Sequence, residues 1–430
     1  MAFAHPSGLS LKANVVWFLA GTAFYAASQW LLAITLARQS GPAAVGVFNM
    51  ATAIATPVLV LSQLCLRQVM VTDVAGRYAF RDYLNLRLIL TCAAFAVIVP
   101  VILILGYRGM EAAAMAAFAL GRASESVSDI YYGRLQSRGR LDRVALFLVI
   151  RSFLTLSLSA AAFWLSKSLL VAALAFAAAS FAAQAVVRIT ERSAVTDHPR
   201  RRGRWQKLYG LSLMRHATPL AFSQFFVSLN SYSPRFVLER FGGVSLVGQY
   251  GAVEYFISVG SLVVAALGQA ASPQLAHANH HGDRRRFIRL TLVIAGITAL
   301  VGAMAVILTM FCGKAVIQVF YGAAFMPAAA AFTPLVLGAA VSYLASIMGY
   351  VTTTIGQFSG LTWRSIVVLV ASVVAAAVGV SLYGLAGMSI SSGVSGAVSI
   401  GLAINFLRRN AARAGKRDLA RASVPQILDA

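Results

Sequence analysis

The chain has 430 residues, of which 59% are hydrophobic and only 11% are charged, and its formal net charge is +23. A soluble globular protein carries about a quarter charged residues, so the composition excludes an ordinary soluble protein and predicts an integral membrane protein. The basic residues are scattered between apolar stretches rather than collected on one folded region, which argues against a nucleic-acid-binding protein.

Twelve apolar stretches are long enough to span a bilayer, which takes roughly twenty residues. They lie at 14–37, 47–66, 86–106, 111–133, 144–165, 168–190, 211–235, 249–272, 288–312, 328–349, 363–383 and 387–407, and the fourth and seventh are the least apolar. The sequence therefore predicts an all-α integral membrane protein with about twelve transmembrane helices.

One segment occurs twice. LARQSGPAAVGVF begins at Leu36, and 202 positions later LERFGGVSLVGQY begins at Leu238. The identical pairs are Leu36/Leu238, Arg38/Arg240, Gly41/Gly243, Val45/Val247 and Gly46/Gly248. The offset covers six spans, an even number, so the two repeats are predicted to be parallel, as in many transporters. We expect the repeated glycines to form turns and the repeated arginines to reach lipid headgroups.

The repeat and the charge pattern together predict the domain boundaries. Residues 1–190 form the N-terminal six-helix bundle, 191–210 a basic cytoplasmic linker, 211–407 the C-terminal bundle and 408–430 a basic cytoplasmic tail. With the N-terminus inside, 28 of the 36 Lys and Arg residues fall in cytoplasmic segments and six in outer ones. This asymmetry predicts that both termini are cytoplasmic.

Ionisable residues inside spans cost about 2.5–3.5 kcal/mol each on insertion scales, so each needs a structural or functional reason. The candidates are Arg122, Glu125 and Asp129 in the fourth span, Arg151 in the fifth, Arg235 in the seventh beside Asn230 and Tyr232, and Glu254 in the eighth. Three Cys residues in apolar stretches, 65, 92 and 312, predict neither disulfides nor a metal site.

Consecutive spans form antiparallel hairpins, and residues of opposite charge at equal depth in the membrane suggest two ion pairs. Glu125 lies opposite Arg151 across the inner turn, and Arg235 lies opposite Glu254 across the outer turn. Each pair is predicted either to lock two helices together or to bind substrate or a coupling proton, and both interpretations stay open. Arg122 and Asp129 have no partner at matching depth, which makes them candidates for substrate and cation binding.

Three segments carry a family resemblance: LARQSGPAAVGVFNMATAI, the following LVLSQLCLRQVMV, and SESVSDIYYGRLQSRGRLDRVA at 124–145. They resemble bacterial polysaccharide-export flippases, which include the O-antigen and exopolysaccharide flippases of the multidrug/oligosaccharidyl-lipid/polysaccharide exporter superfamily. The resemblance implies two six-helix bundles around a V-shaped central cavity that works by alternating access. It also implies a substrate, an undecaprenyl-pyrophosphate-linked oligosaccharide moved from the inner to the outer leaflet of the bacterial inner membrane.

The implied product is a surface polysaccharide such as the O-antigen of lipopolysaccharide, a capsule or an exopolysaccharide. The residues expected to contact the pyrophosphate are Arg122, Arg151 and Arg235, and those expected to contact sugar are Tyr131, Tyr132, Asn230 and Tyr232. The expected partners are the lipid-linked oligosaccharide and membrane lipids, with a polysaccharide polymerase as a further candidate. No cofactor, metal or catalytic residue is expected.

Other classes of membrane protein remain as alternatives. A multidrug and toxin extrusion exporter, coupled to cations, shares the six-plus-six plan. A major-facilitator transporter fits poorly because its first inner loop usually carries a GxxxDRxGRR-like run, whereas this chain has RQVMVTDVAGRYAFRDY. Peptidoglycan-precursor flippases typically have fourteen spans. A membrane glycosyltransferase or polymerase would need a DxD motif or a large catalytic loop, and neither is present. The absence of a GxxxxGK[ST] loop argues against direct use of ATP and favours an ion or proton gradient.

Overall fold

The computed structural model describes residues 11–73, 78–191, 206–281, 283–354 and 361–422. Their regular structure is helical throughout. The helices are α1 (Leu11–Gln63), α2 (Leu66–Thr72), α3 (Phe80–Ile104), α4 (Gly109–Ser137), α5 (Leu141–Ser166), α6 (Leu169–Thr190), α7 (Gln206–His280), α8 (Arg284–Tyr321), α9 (Met326–Thr353), α10 (Leu361–Tyr383) and α11 (Met388–Ala422). Short 3₁₀ turns lie at Ala323–Phe325 and Gly384–Gly387.

Among the described residues, eight helical stretches are long and apolar enough to cross a membrane. Three of them, Ala13–Thr72, Ala221–Asn279 and Thr362–Arg408, are at least 47 residues long and each contain two crossings. α4 is long enough to cross a membrane but is less apolar than these stretches, because it carries the charges predicted for the fourth span. Counting α4, the described helices supply twelve crossings, and the predicted all-α membrane fold is confirmed.

The two longest helices break at equivalent glycines. Gly41 in α1 has φ 72° and ψ −165°, and Gly243 in α7 has φ 65° and ψ −174°. This region of backbone space is open to glycine and strained for other residues. The two positions are 202 residues apart, so the sequence repeat is also a repeat of backbone geometry, and the prediction that these glycines form turns is confirmed.

The second glycine of each repeat allows two helices to touch. A Cβ atom on Gly46 would overlap the carbonyl oxygen of Val244, and one on Gly248 would overlap the carbonyl oxygen of Pro42. Pro42 and Val244 are themselves 202 positions apart, so the two contacts are the same contact with the repeats exchanged. Small residues allow this close approach where lipid gives helices no hydrophobic drive to associate.

The chain divides into two compact units. One contains Met1–Ala252 with Ile317–Pro327, and the other contains Val253–Val316 with Ala328–Ala430. The division predicted at 191–210 stays a prediction. Residues 192–205 of that linker and 423–430 of the predicted tail lie outside the described residues.

The first unit has an aromatic centre formed by α1, α4 and α6. Phe48 and Phe118 meet edge to face with ring centroids 5.0 Å apart, and Phe118 meets Phe176 at 5.5 Å. Edge-to-face pairs of this kind add about 0.5–1.5 kcal/mol each beyond the burial of their area. These rings hold the middle of α4, the most polar crossing helix of the unit, against its neighbours.

The end of α8 is fastened to α1 within the same unit. Arg38 Nε donates to the carbonyl oxygen of Phe320 at 2.9 Å, its Nη2 donates to that of Val319, and Trp30 Nε1 donates to the hydroxyl of Tyr321 at 2.9 Å. A cation at a helix C-terminus satisfies carbonyls that have no partner within the helix. The expectation that Arg38 reaches headgroups is therefore corrected for this copy of the repeat.

The second unit has its own apolar core between α7, α8 and α9. Val264, Ile294 and Ile347 pack together there with Tyr343, whose hydroxyl donates to the carbonyl oxygen of Ile257 at 2.6 Å. Because that hydroxyl is satisfied, the buried tyrosine joins α9 to α7 at little electrostatic cost.

Candidate functional site

A cavity of about 490 Å³, lined by charged, polar and apolar side chains, lies in the first unit, between α1, α2, α4 and α5, with one residue from α7. Its charged lining residues are Arg67, Arg122, Arg151, Glu125 and Asp129. Polar lining residues include Thr22, Gln29, Thr52, Thr56, Gln63 and Ser126. The aromatic ones are Phe18, Tyr25, Tyr132 and Tyr232. Three arginines against two carboxylates give the cavity an excess of positive charge.

Arg122 is fixed in place by three side chains. Its Nη1 lies 3.1 Å from Glu125 Oε2, one turn along α4, and its Nη2 donates to Gln29 Oε1 at 2.9 Å. The Tyr25 hydroxyl accepts a hydrogen bond from Arg122 Nη1 and donates to Glu125 Oε2 at 2.8 Å. The guanidinium also lies over the Phe176 ring, 5.5 Å from its centroid. Arg122 and Glu125 thus neutralise each other and join α4 to α1.

We expect Tyr25→Phe to lower the free energy of unfolding by about 1 kcal/mol, the usual net value of a lost hydrogen bond. The direct ion pair between Arg122 and Glu125 stays intact in this variant, so the loss should be no larger. The midpoint of thermal unfolding of the purified protein measures it. Tyr383→Phe is the matched control because Tyr383 is 65% exposed. Equal midpoints for the two variants would contradict the assigned role of Tyr25.

Asp129 lies between two arginines. Its Oδ1 is 2.8 Å from Arg67 Nη1, and its Oδ2 is 3.3 Å from Arg87 Nη2. Arg87 is fully buried on α3, where its Nη1 also donates to Ser126 Oγ at 3.4 Å. Asp129 and Arg67 are partly exposed, at 23% and 19% of their side chains. One carboxylate therefore balances two cations at this end of the cavity.

Arg151 is a buried cation for which the described residues supply no acidic partner. It lies on α5, is 2% exposed, and donates from Nη2 to Ser128 Oγ at 2.7 Å. Within the part of the chain that the structure describes, no carboxylate oxygen lies within 4.0 Å of its guanidinium. Its Nε is also buried without a hydrogen-bond partner there. A guanidinium in this position beside the cavity is suited to bind a phosphate, whose oxygens match its planar fork.

The sequence profile of the family described as "polysaccharide biosynthesis protein" matches residues 11–279, more than half of the chain. This chain belongs to the polysaccharide biosynthesis protein family. The match includes every residue that lines the cavity.

Relatives of this family member support the same assignment. It is 24% identical over 298 residues to the capsular polysaccharide biosynthesis protein CapF of Staphylococcus aureus, covering 68% of this chain and 73% of CapF. Solved transporters share the fold. An inward-facing multidrug resistance MATE family transporter of the MOP superfamily superposes with a TM-score of 0.70 at 16% identity, covering 96% of this chain and 98% of that one. A mutant of the Vibrio cholerae MATE transporter VcmN gives 0.65 at 14% identity, covering 93% and 96%. The chain therefore shares the fold of these membrane transporters.

The structure brings six of the predicted site residues of this polysaccharide biosynthesis protein to the cavity: Arg122, Glu125, Asp129, Tyr132, Arg151 and Tyr232. Tyr131 is placed elsewhere. It is 4% exposed and packs in the apolar core with its ring 5.3 Å from that of Phe80, so we withdraw it as a sugar contact.

Two of the predicted site residues on α7 lie outside the cavity lining. Asn230 and Arg235 are not among the residues that line the cavity, and the guanidinium of Arg235 lies 4.5 Å from the ring centroid of Tyr232. Glu254 belongs to the second unit. The pair of Arg235 with Glu254 stays a prediction.

Two predictions about partners were wrong. Glu125 pairs with Arg122 rather than with Arg151, and Asp129 pairs with Arg67 and Arg87, so neither Arg122 nor Asp129 is unpaired. The physical reason is packing. α4 and α5 are consecutive in the chain, yet α4 packs mainly against α6, and α5 packs against α1 and α6.

Several site residues were missed. Arg67 and Arg87 were not among the predicted site residues, whereas both side chains reach Asp129. Tyr25 and Gln29 were also overlooked in the first span. Their signal was available, because Thr22, Tyr25 and Gln29 follow the i, i+3, i+7 spacing that places polar side chains on one helical face.

Proposed function

We propose that this protein translocates an undecaprenyl-pyrophosphate-linked oligosaccharide from the inner to the outer leaflet of the bacterial inner membrane. The translocated unit would be used for surface polysaccharide synthesis. Family membership and the capsular relative support a saccharide cargo. The MATE neighbours support a transporter fold and carry no argument about cargo, because they are less than 25% identical to this chain.

The observation that carries the proposal is Arg151, a buried cation with no acidic partner among the residues that the structure describes. Both carboxylates of the cavity have arginine partners, and Arg151 remains as a buried positive charge. Leaving a cation uncompensated in a low-dielectric site is costly, and an anionic ligand offsets that cost. The pyrophosphate linkage of the lipid carrier is such an anion. A site for cationic drugs would instead need an unpaired carboxylate.

The rest of the cavity suits a sugar. Threonine hydroxyls and glutamine amides from α1 both donate and accept hydrogen bonds, as sugar hydroxyls require. Tyr132 and Tyr232 add rings with polar ends. A pyrophosphate sugar head cannot enter hydrocarbon unaided, so the head would occupy such a cavity while the lipid tail stays in the bilayer.

The proposed orientation follows the distribution of basic residues, with both termini cytoplasmic. Translocation by alternating access forms and breaks no covalent bond, so the protein acts as a transporter and not as an enzyme. We propose an ion or proton gradient as the driving force.

Deletion of the gene in the source bacterium tests this function. We expect loss of surface polysaccharide, accumulation of undecaprenyl-linked units on the inner leaflet, and restoration of both by the intact gene. Unchanged sidedness of the glycolipid, together with altered sensitivity to drugs, would reject the proposal in favour of a cation-coupled exporter.

A further inference from the structure

Arg67 lies on a short helix that is separated from the helix before it. α1 ends at Gln63 and α2 begins at Leu66. Between them, Leu64 and Cys65 have φ angles of 46° and 51°. Two consecutive non-glycine residues with positive φ are uncommon and strained, and such positions concentrate where a segment has a functional task.

α2 lies directly on α4, at Gly133. A Cβ atom there would be 2.6 Å from Met70 Cε and 2.9 Å from Arg67 Cγ. The missing side chain on α4 leaves space for the stem of Arg67 to reach Asp129 at 2.8 Å and Gln136 at 3.0 Å. Arg67 therefore reaches the cavity from a separate short element that rests against α4.

The charges around Asp129 let Arg67 leave without depriving this carboxylate of a cationic partner. Arg87 also contacts Asp129 and is fully buried, so it would remain as the partner. Glu125 differs, because among the described residues Arg122 is its sole cationic partner. Two arginines of the cavity are paired with carboxylates, Arg67 and Arg122. Transfer of Arg67 to a ligand therefore has a smaller electrostatic cost than transfer of Arg122.

We propose that Arg67 is an exchangeable substrate-binding residue that is held by Asp129 and is transferred to phosphate oxygens when a pyrophosphate head enters the cavity. Arg87 keeps Asp129 neutralised during the exchange. This inference rests on the proposed function, and it adds a positioning role for Asp129. Asp129 competes with the ligand for Arg67, which keeps binding weak enough for release.

A double-mutant cycle on the purified full-length protein tests the exchange, with inorganic pyrophosphate as the probe and calorimetry as the measurement. Asp129→Asn should tighten binding about tenfold when Arg67 is present, because the competing carboxylate is gone. In an Arg67→Gln background the same change should alter binding by less than about twofold. Equal effects in both backgrounds would mean that Asp129 acts only through its charge, and would overturn the proposal.

Two further variants keep the cycle interpretable. Asp142→Asn is the matched control, because Asp142 pairs with Arg140 at 2.9 Å away from the cavity, and it should leave pyrophosphate binding unchanged. If Arg67→Gln does not give folded protein, the cycle is run with Arg67→Lys. Lysine keeps the charge and loses the fork, so the effect of Asp129→Asn should fall to about threefold.

Membrane lipids offer phosphates as well, so the cycle is repeated with farnesyl pyrophosphate and with phosphatidylglycerol. The coupling should appear with farnesyl pyrophosphate and not with phosphatidylglycerol. Coupling with phosphatidylglycerol alone would overturn the proposal. Normal export in cells carrying Arg67→Gln would overturn the exchange and leave the proposed function standing. Coupling between Arg67 and Asp129 in the purified protein, together with glycolipid sidedness that gene deletion leaves unchanged, would reject the proposed function and leave the exchange standing.

Discussion

Replacing Arg151 with glutamine is expected to weaken pyrophosphate binding about ten- to a hundredfold. Hydrogen bonds to a charged group contribute about 1.5–3 kcal/mol, and 1.4 kcal/mol corresponds to a factor of ten. Arg151→Lys keeps the charge without the planar fork, so it should recover part of the lost affinity. Calorimetry with inorganic pyrophosphate on the purified protein measures each effect.

Stability distinguishes a binding role of Arg151 from a structural one. The guanidinium is 2% exposed and has no acidic partner among the described residues, so its burial costs free energy. Arg151→Gln should therefore unfold at the same temperature as the wild-type protein or at a higher one. Arg140→Gln, outside the cavity, is the control for binding. A lower unfolding temperature with unchanged pyrophosphate affinity would show that Arg151 is structural.

Alanine at Gly46 or at Gly248 is expected to lower the free energy of unfolding by about 3 kcal/mol, the upper part of the usual cost of overpacking. The added methyl group would overlap a backbone carbonyl oxygen, of Val244 in one case and of Pro42 in the other. Backbone cannot rotate away as a side chain can, so the helices must separate. The two variants should have similar effects, because the contacts are related by the repeat.

The matched control for this prediction is Gly296→Ala on α8. A Cβ at Gly296 meets nothing within 4 Å, and alanine favours helix over glycine. Gly296→Ala should therefore leave the unfolding midpoint unchanged or raise it slightly. If Gly46→Ala and Gly248→Ala behave like this control in thermal unfolding, the close helix contact described here is wrong.

The features that the sequence predicts well are those set by the repeat and by hydropathy. The offset of 202 residues between Gly41 and Gly243 correctly predicted equal breaks in α1 and α7. Apolar length predicted the crossings, because every span must satisfy its backbone hydrogen bonds internally. Neither signal gives the closeness of Gly46 to Val244, which depends on how two helices pack.

The charge pairs were predicted poorly, because depth in the membrane fixes only one of the coordinates that a contact requires. The predicted depth of Arg151 was accurate to about one helical turn. Arg151 contacts Ser128, which lies one turn beyond the predicted partner Glu125 on α4. Glu125, however, bonds to its own helix through Arg122 and to α1 through Tyr25. The rotation of each helix about its own axis decides which side chains face each other. The depth of residues in a hairpin gives no information about that rotation.

The arginines beside Asp129 show a second limit. Arg67 directly follows the second predicted span and Arg87 is the second residue of the third, at the cytoplasmic ends of these spans, where the positive-inside rule expects basic residues. A long side chain can extend well beyond its own Cα along the membrane normal, and Arg87 is fully buried as a result of its packing between α3 and α4. Their contribution to the site became visible only once the helices were placed.

Translocation by the purified protein tests the central claim most directly. The protein is reconstituted into liposomes that carry a fluorescent undecaprenyl-pyrophosphate-linked oligosaccharide, and an added glycosidase reports how much of the sugar becomes accessible from outside. We expect wild-type protein and Arg140→Gln to expose the inner-leaflet sugar under an imposed ion gradient, and Arg151→Gln to slow this exposure at least tenfold. Equal rates with Arg151→Gln and wild type, or no exposure above that of protein-free liposomes under any gradient, would contradict the account.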